Sequence, residues 1–279
     1  MDGVLFVDKP QGMTSRDVVN QVSKVFHTKK VGHTGTLDPL ATGVLVICVG
    51  KYTKLVESFM SNEKTYVAKM KLGIQTDTGD ITGNKVKEDK KKFTKEEIEQ
   101  VFQNFPKEYD QKVPLYSAVK IQGKKLYEYA REGKNVELPR RKVQIKELEI
   151  INILGDEIEF KTTVSKGTYI RSFIEDLATS LKTVATMSSL RRVRQGNIAI
   201  EKCVELKDIK EDMKLESVED LFDYPKYIIN DREYHKVKNG NALALDSLEK
   251  RVFLVYQENV VAIYEKKNEE YRIVFSLIS

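Results

Sequence analysis

The chain has 279 residues, of which 41% are hydrophobic and 32% charged, with a mean hydropathy of −0.42 and a formal net charge of +5. That balance excludes a disordered or low-complexity chain and suits one large globular domain, alone or with a small one. No apolar run reaches bilayer length, the best being the strand-sized Val44 to Val49, and no basic-then-apolar leader opens the chain, so the cytoplasm and no membrane partner are expected. Cys48 and Cys203 lie far apart without a CxxC or Cys/His pattern, which predicts buried, reduced packing residues in place of a disulfide framework or zinc site.

In chain order, Ser15 is the predicted N-cap of a helix whose Val18, Val22, Val25 and Phe26 share an apolar face. The Gly-rich stretch Gly32 to Gly43, which also holds Pro39, should be an ordered loop, followed by a buried strand over Val44 to Val49. Tyr66, Ala68, Met70 and Leu72 alternate with Val67, Lys69 and Lys71, the pattern of a strand with one face inward. Asp77 to Asp80 and Thr82 to Asn84 carry turn chemistry. Thr94 and Glu97 form a capping box ahead of Ile98, Val101, Phe102 and Phe105, and Pro106 ends that helix. Val143 to Ile150 and Ile158 to Val164 flank a Gly155-Asp156 turn and predict a hairpin. A helix follows with Ile174, Leu177, Ala178 and Leu181 on one face, and Arg171 stands at its start, where a side chain can point into a cleft. Ser217 and Asp220 open a short helix closed by Pro225. Three strands, Arg251 to Tyr256, Val260 to Tyr264 and Tyr271 to Leu277, then suggest a small C-terminal β domain. The expected division is 1–224 and 225–279.

Charge is distributed unevenly. Between Lys112 and Lys146 there are ten Lys/Arg and three Asp/Glu, a net +7, so the rest of the chain carries −2. A surplus gathered in one stretch is the footprint of a polyanion partner, and Tyr116, Tyr127 and Tyr129 within it are able to stack on bases. A solvated lysine-rich loop gives the same composition. Asp38 before Pro39 suits a nucleophilic carboxylate held at a cleft, but Asp-Pro is also a common turn opener. His33 has only His27 and His235 as fellow histidines, so no metal constellation is available. Neither GxxxxGK[ST] nor GxGxxG occurs, and Asp77 and Asp80 lack the spacing of a calcium loop.

Gly32-His-Thr-Gly-Thr-Leu-Asp-Pro-Leu-Ala-Thr-Gly-Val-Leu45 closely resembles the catalytic motif of the TruB family of tRNA pseudouridine synthases. Val7 to Ser15 resembles the family's opening segment, and Lys64-Thr-Tyr66 with Gly73 to Asp80 its tyrosine strand and following turn. Pro114 to Lys120 with Tyr127 to Gly133 resembles its RNA-gripping insertion, and Ser165 to Arg171 and Leu190 to Arg192 its arginine and leucine segments. The matches run in order to about Val204 and weaken past Tyr224.

The resemblance implies an α+β pseudouridine synthase fold, with a mixed, largely antiparallel central sheet flanked by helices, an insertion at about 112–146 and a PUA-like C-terminal domain. It implies isomerisation of the uridine at position 55 in the tRNA T loop to pseudouridine, with the base flipped out. Asp38 would be the nucleophile. Tyr66 would stack on the base, Arg171 would pair with Asp38, Leu190 would pack against the base, and His33 would touch the RNA beside the site. No cofactor, metal, DNA, guide RNA or obligate protein partner is expected, and the ending Pro-Leu-Ala-Thr-Gly resembles the stand-alone bacterial type, working as a monomer. The principal alternative is a non-catalytic tRNA-binding or RNA-folding module.

Overall fold

The computed structural model describes residues 1–60 and 63–278. Its main element is a ten-stranded mixed sheet. Across its width run Val204–Glu205, Gly3–Lys9, Thr42–Val49, Ala185–Gln195, Lys64–Leu72, Glu157–Val164, Arg140–Leu154 and Glu108–Lys112. Only the Gly3–Lys9/Val204–Glu205 and Thr42–Val49/Ala185–Gln195 pairs are parallel, so the sheet is largely antiparallel.

Alternating side chains divide the sheet into packed faces. Leu5, Val7, Leu45 and Ile47 meet Val18, Val19 and Val22 of the Ser15–Val25 helix and Phe26 at its C-cap. Along the other half, Ala68, Met70 and Phe160 are covered by Ile98 and Phe102 of the Lys95–Asn104 helix and by Phe173, Ile174 and Leu177 of the Ile170–Ser180 helix. Full burial of each of the larger side chains, Val, Leu, Ile, Met or Phe, stabilises the fold by about 1.5–3 kcal/mol. No helix among the described residues is long and apolar enough to cross a membrane.

A second sheet of four strands, Lys226–Ile228, Arg251–Tyr256, Asn259–Lys267 and Glu270–Ser276, ends the chain. It is seated firmly on the first. Val4, Phe6, Val44 and Val46, on the opposite face from Leu5 and Val7, share one core with Phe253, Val255, Ile263 and Phe275, and the Tyr52 and Phe275 rings meet edge-on at 5.1 Å.

The structure departs from the sequence reading in several places. The first helix is capped by Thr14, whose side chain and Asp17 form a reciprocal capping box, while Ser15 is the first helical residue. Ser15 turns inward instead, where its hydroxyl hydrogen-bonds the Leu37 backbone. Cys203 is only partly buried. The strands Gly3–Lys9 and Ala185–Gln195 and the helix Asp231–Lys238 were not anticipated. Ala185–Gln195 disguises itself because three of its residues are arginines and one, Arg192, is 1% exposed, a burial tolerable only because carbonyl oxygens neutralise its donors.

Thr42–Val49 and Ala185–Gln195 approach closely at Gly43, which has φ +101°. A Cβ there would lie 2.2 Å from the Arg192 carbonyl oxygen and 2.8 Å from its amide nitrogen. Gly43→Ala is therefore expected to cost more than about 2 kcal/mol, combining left-handed strain with overpacking against backbone. Urea unfolding monitored by far-UV circular dichroism measures it, and a loss under about 0.5 kcal/mol would contradict this account of the crossing.

Candidate active site

The loop from Thr34 to Ala41 has no regular ladder of its own and is held by its neighbours. Ser15 Oγ accepts from the Leu37 amide at 2.8 Å and donates to the Leu37 carbonyl at 3.2 Å. The Gly12 amide donates to the Pro39 carbonyl at 2.8 Å. From below, Arg192 donates through Nε to the Val44 carbonyl and through Nη2 to the Gly35 carbonyl, at 2.7 and 3.1 Å. Gln195 Nε2 donates to Thr34 Oγ1 at 2.6 Å. Lys9, fully buried, donates to the Pro10 and Met13 carbonyls, so the opening segment is fixed before it supports the loop. Burial pushes the Lys9 ammonium down to about 8, with Asp38 pulling the other way.

Asp38 sits at the top of this loop. Its carboxylate faces Arg171, with Nε to Oδ2 at 2.9 Å and a longer contact from Nη2 to Oδ1 at 3.4 Å. The arginine side chain is 7% exposed and the aspartate 34%, so the guanidinium is a buried anchor while the carboxylate reaches open space. Arg171 also donates to the Thr78 carbonyl through Nη1 and to the Tyr116 carbonyl through Nη2, both at 2.9 Å. The turn that presents Thr78 depends on Gly79, at φ +77°.

Two influences compete for the charge on Asp38. Burial raises its pKa and is the larger, with the Asp80 carboxylate adding to it; the Arg171 guanidinium and, more weakly, Lys9 pull it down. The net result is a carboxyl above its ordinary range, because desolvation outweighs the ion pair.

A cleft of about 310 Å³ opens over the carboxylate, lined by Asp38, Tyr66, Arg171 and Leu190 together with Tyr116, Ser117 and Tyr127. Tyr66 and Leu190 come from neighbouring strands, registered through Arg192↔Tyr66 and Leu190↔Ala68. Four of the five residues singled out in the sequence thus meet. His33 does not line this cleft. It stands at the root of the loop, paired with Ile47, and burial lowers its pKa and favours the neutral ring.

The basic segment is folded. Lys112 pairs with Arg140 at its neck, and between them lie a small hairpin and the Leu126–Arg131 helix. Part of its charge is spent internally, since Glu132 pairs with Lys124 and Lys134, and Lys125 and Arg131 lie over the Tyr127 ring. Sequence reading assigned no role to Lys9, Ser117, Arg192 or Gln195. The dipeptide Lys9-Pro10 and the Arg191-Arg192 pair were visible signals, but nothing in one dimension distinguishes Arg192, buried against carbonyls, from Arg191, which pairs with Asp8 at 2.7 Å. Among the described residues no group of three or more His, Cys, Asp or Glu is placed to hold a metal.

Residues 23–170 match the model of the TruB family pseudouridylate synthase N-terminal domain. The chain is 40% identical over 287 residues to the tRNA pseudouridine synthase B of Lactobacillus acidophilus, covering 98% of this chain and 97% of that protein. To the protein of the same description from Clostridium tetani it is 42% identical over 289 residues, covering all of both. Among solved structures it resembles a chain of a Cbf5-Nop10-Gar1 complex, at a TM-score of 0.70 and 26% identity over 99% of this chain and 84% of that one. A chain of an H/ACA RNP bound to a substrate RNA containing 2′-deoxyuridine superposes equally well, at 24% identity over 99% and 85%, which speaks to the fold alone.

The Asp38 carboxyl is expected to titrate above the ordinary aspartate value of about 3.9, and Arg171→Ala to move it further up by removing the nearest positive charge. Carbon-detected NMR of the labelled carboxyl against pH reads both. An Asp38 pKa that falls in the variant would contradict the stated balance.

Proposed function

The chain belongs to the TruB family of pseudouridine synthases, and from that premise we propose that it isomerises the uridine at position 55 in the T loop of tRNA to pseudouridine, with Asp38 as nucleophile. The observation that carries this reading is the Asp38 carboxylate held by the buried Arg171 at the floor of a cleft shared with Tyr66 and Leu190. The overall change breaks the bond from ribose C1′ to N1 of uracil and makes one from C1′ to C5. The proton lost from C5 is matched by one gained at N1, so no oxidant, phosphate donor or hydrolytic water is consumed.

In that reaction the ionised form of Asp38 is the reactive one. Arg171 favours that form and fixes the carboxylate's direction, because its other donors are committed to the Thr78 and Tyr116 carbonyls. Tyr66 offers its ring face to the base, and Leu190 packs against the base from the adjacent strand. His33, at the root of the loop, contacts RNA beside the site.

A uridine stacked within a folded loop is out of reach of these groups, so the base must be flipped out at a cost of roughly a few kcal/mol. Phosphate contacts from the 112–146 segment recover that cost, as the exposed cations there are suited to do. The chain reads tRNA directly, without a guide RNA. Residues 225–279 we assign as a PUA-like RNA-binding unit, whose shared core with the Gly3–Lys9 and Thr42–Val49 strands holds it in a constant position relative to the catalytic sheet.

The test uses a T-loop minihelix, with pseudouridine mapped by carbodiimide-dependent reverse-transcription stops. Wild-type protein should give a stop at the T-loop uridine. Asp38→Asn, which keeps the shape and removes the charge, should lower the rate by at least about a thousandfold, as loss of a nucleophile does elsewhere. Unimpaired turnover by this variant would sink the mechanism.

A further inference from the structure

Ser117 is 6% exposed, and its hydroxyl has no hydrogen-bond partner among the described residues. Its backbone is satisfied, since its amide donates to the Leu115 carbonyl at 3.0 Å and its carbonyl accepts from the Tyr127 amide at 3.2 Å. The unpaired group is therefore the side chain alone. A buried hydroxyl without a partner is a standing cost to the folded state, and such groups are uncommon enough to need a reason. Ser117 also lines the Asp38 cleft. Its neighbour Tyr116 gives its carbonyl to Arg171 Nη2, the same guanidinium that pairs with Asp38. One rigid side chain thus fixes the distance between the carboxylate and the segment carrying the free hydroxyl.

Building on the function proposed above, we propose that Ser117 is a substrate-binding residue whose Oγ–H donates to a carbonyl oxygen of the flipped uracil. The uracil carbonyls are unchanged when the base is transferred from N1 to C5, so one donor is able to serve both substrate and product. The need for it is physical. Once the N1 bond breaks, only non-covalent contacts keep the base in the cleft. Tyr66 and Leu190 supply apolar surface that resists escape, and because the half-turn that exchanges N1 for C5 also exchanges the places of the two carbonyls, the same donor meets a carbonyl oxygen before and after it. In the free protein the hydroxyl is screened from solvent, and rotation about its single χ1 torsion, between staggered wells, turns it towards a seated base.

Binding is measured in the Asp38→Asn background, where no turnover intervenes, using one minihelix with the target uridine and one with an abasic site in its place. Ser117→Ala should weaken binding of the uridine minihelix roughly three- to tenfold, the range for one neutral hydrogen bond, and leave the abasic minihelix within about twofold. The melting temperature of the free variant should be equal to or higher than that of its parent, because an unsatisfied hydroxyl has been removed. Equal weakening on both minihelices would assign Ser117 a purely structural role and overturn the proposal, as would no weakening on either. The failures are separable. A wild-type protein that makes no pseudouridine in the uridine minihelix removes the proposed function, while normal turnover with unchanged Ser117→Ala binding removes only this contact.

Discussion

Arg171 satisfies three distant parts of the chain with one guanidinium: the Asp38 carboxylate, the Thr78 carbonyl and the Tyr116 carbonyl. These belong to the Gly-rich loop, the turn after the Lys64–Leu72 strand and the basic segment. A charge buried to this degree is tolerated only when its donors are met, so each of the three segments is held in place by the arginine's own requirement. The site's geometry follows from this more than from any local conformational preference of the loop.

The same logic recurs one layer down. Arg192 and Gln195 project from the Ala185–Gln195 strand and bind the Gly35 carbonyl and Thr34 hydroxyl of the loop's lower part and the Val44 carbonyl of the strand after it, while Ser15 binds Leu37 from the side. The loop therefore sits on a polar scaffold within an otherwise apolar sheet. Such a scaffold is directional where hydrophobic packing is not, and on the proposed mechanism, where the carboxylate meets one atom of the substrate, direction is what it needs. The close strand crossing at Gly43 is the steric condition for this arrangement, because it brings the Arg192 backbone against the strand that leaves the loop.

The charge state of Asp38 is a compromise. Enclosure that shields the carboxylate from water also disfavours its ionised form, and the arginine offsets only part of that. Partial desolvation makes a carboxylate a better nucleophile than a fully hydrated one, and on the proposed mechanism the site keeps that advantage while Arg171 holds the ion in place. Exposure is divided accordingly: the cation is buried and the anion faces the cleft.

Much of the fold was legible in the amino-acid pattern. The alternation at Tyr66 to Leu72, the capping box at Thr94 and Glu97, and the hairpin about Gly155-Asp156 depend on neighbours within a few residues, and the structure has all three. The helix start at Ser15 was off by one residue because Thr14 and Ser15 are both competent caps, and only the presence of Leu37 beside Ser15 decides which turns inward. The ordered motifs determined the family and nominated Asp38, Tyr66, Arg171 and Leu190. Tertiary structure alone decided that Ala185–Gln195 is a central strand, that Arg192 is buried while Arg191 pairs with Asp8, that His33 stays outside the cleft, and that Ser117 enters it. Each of those depends on contacts between residues far apart in the chain, where the partner that neutralises a charge or leaves a hydroxyl unpaired is not encoded in local spacing.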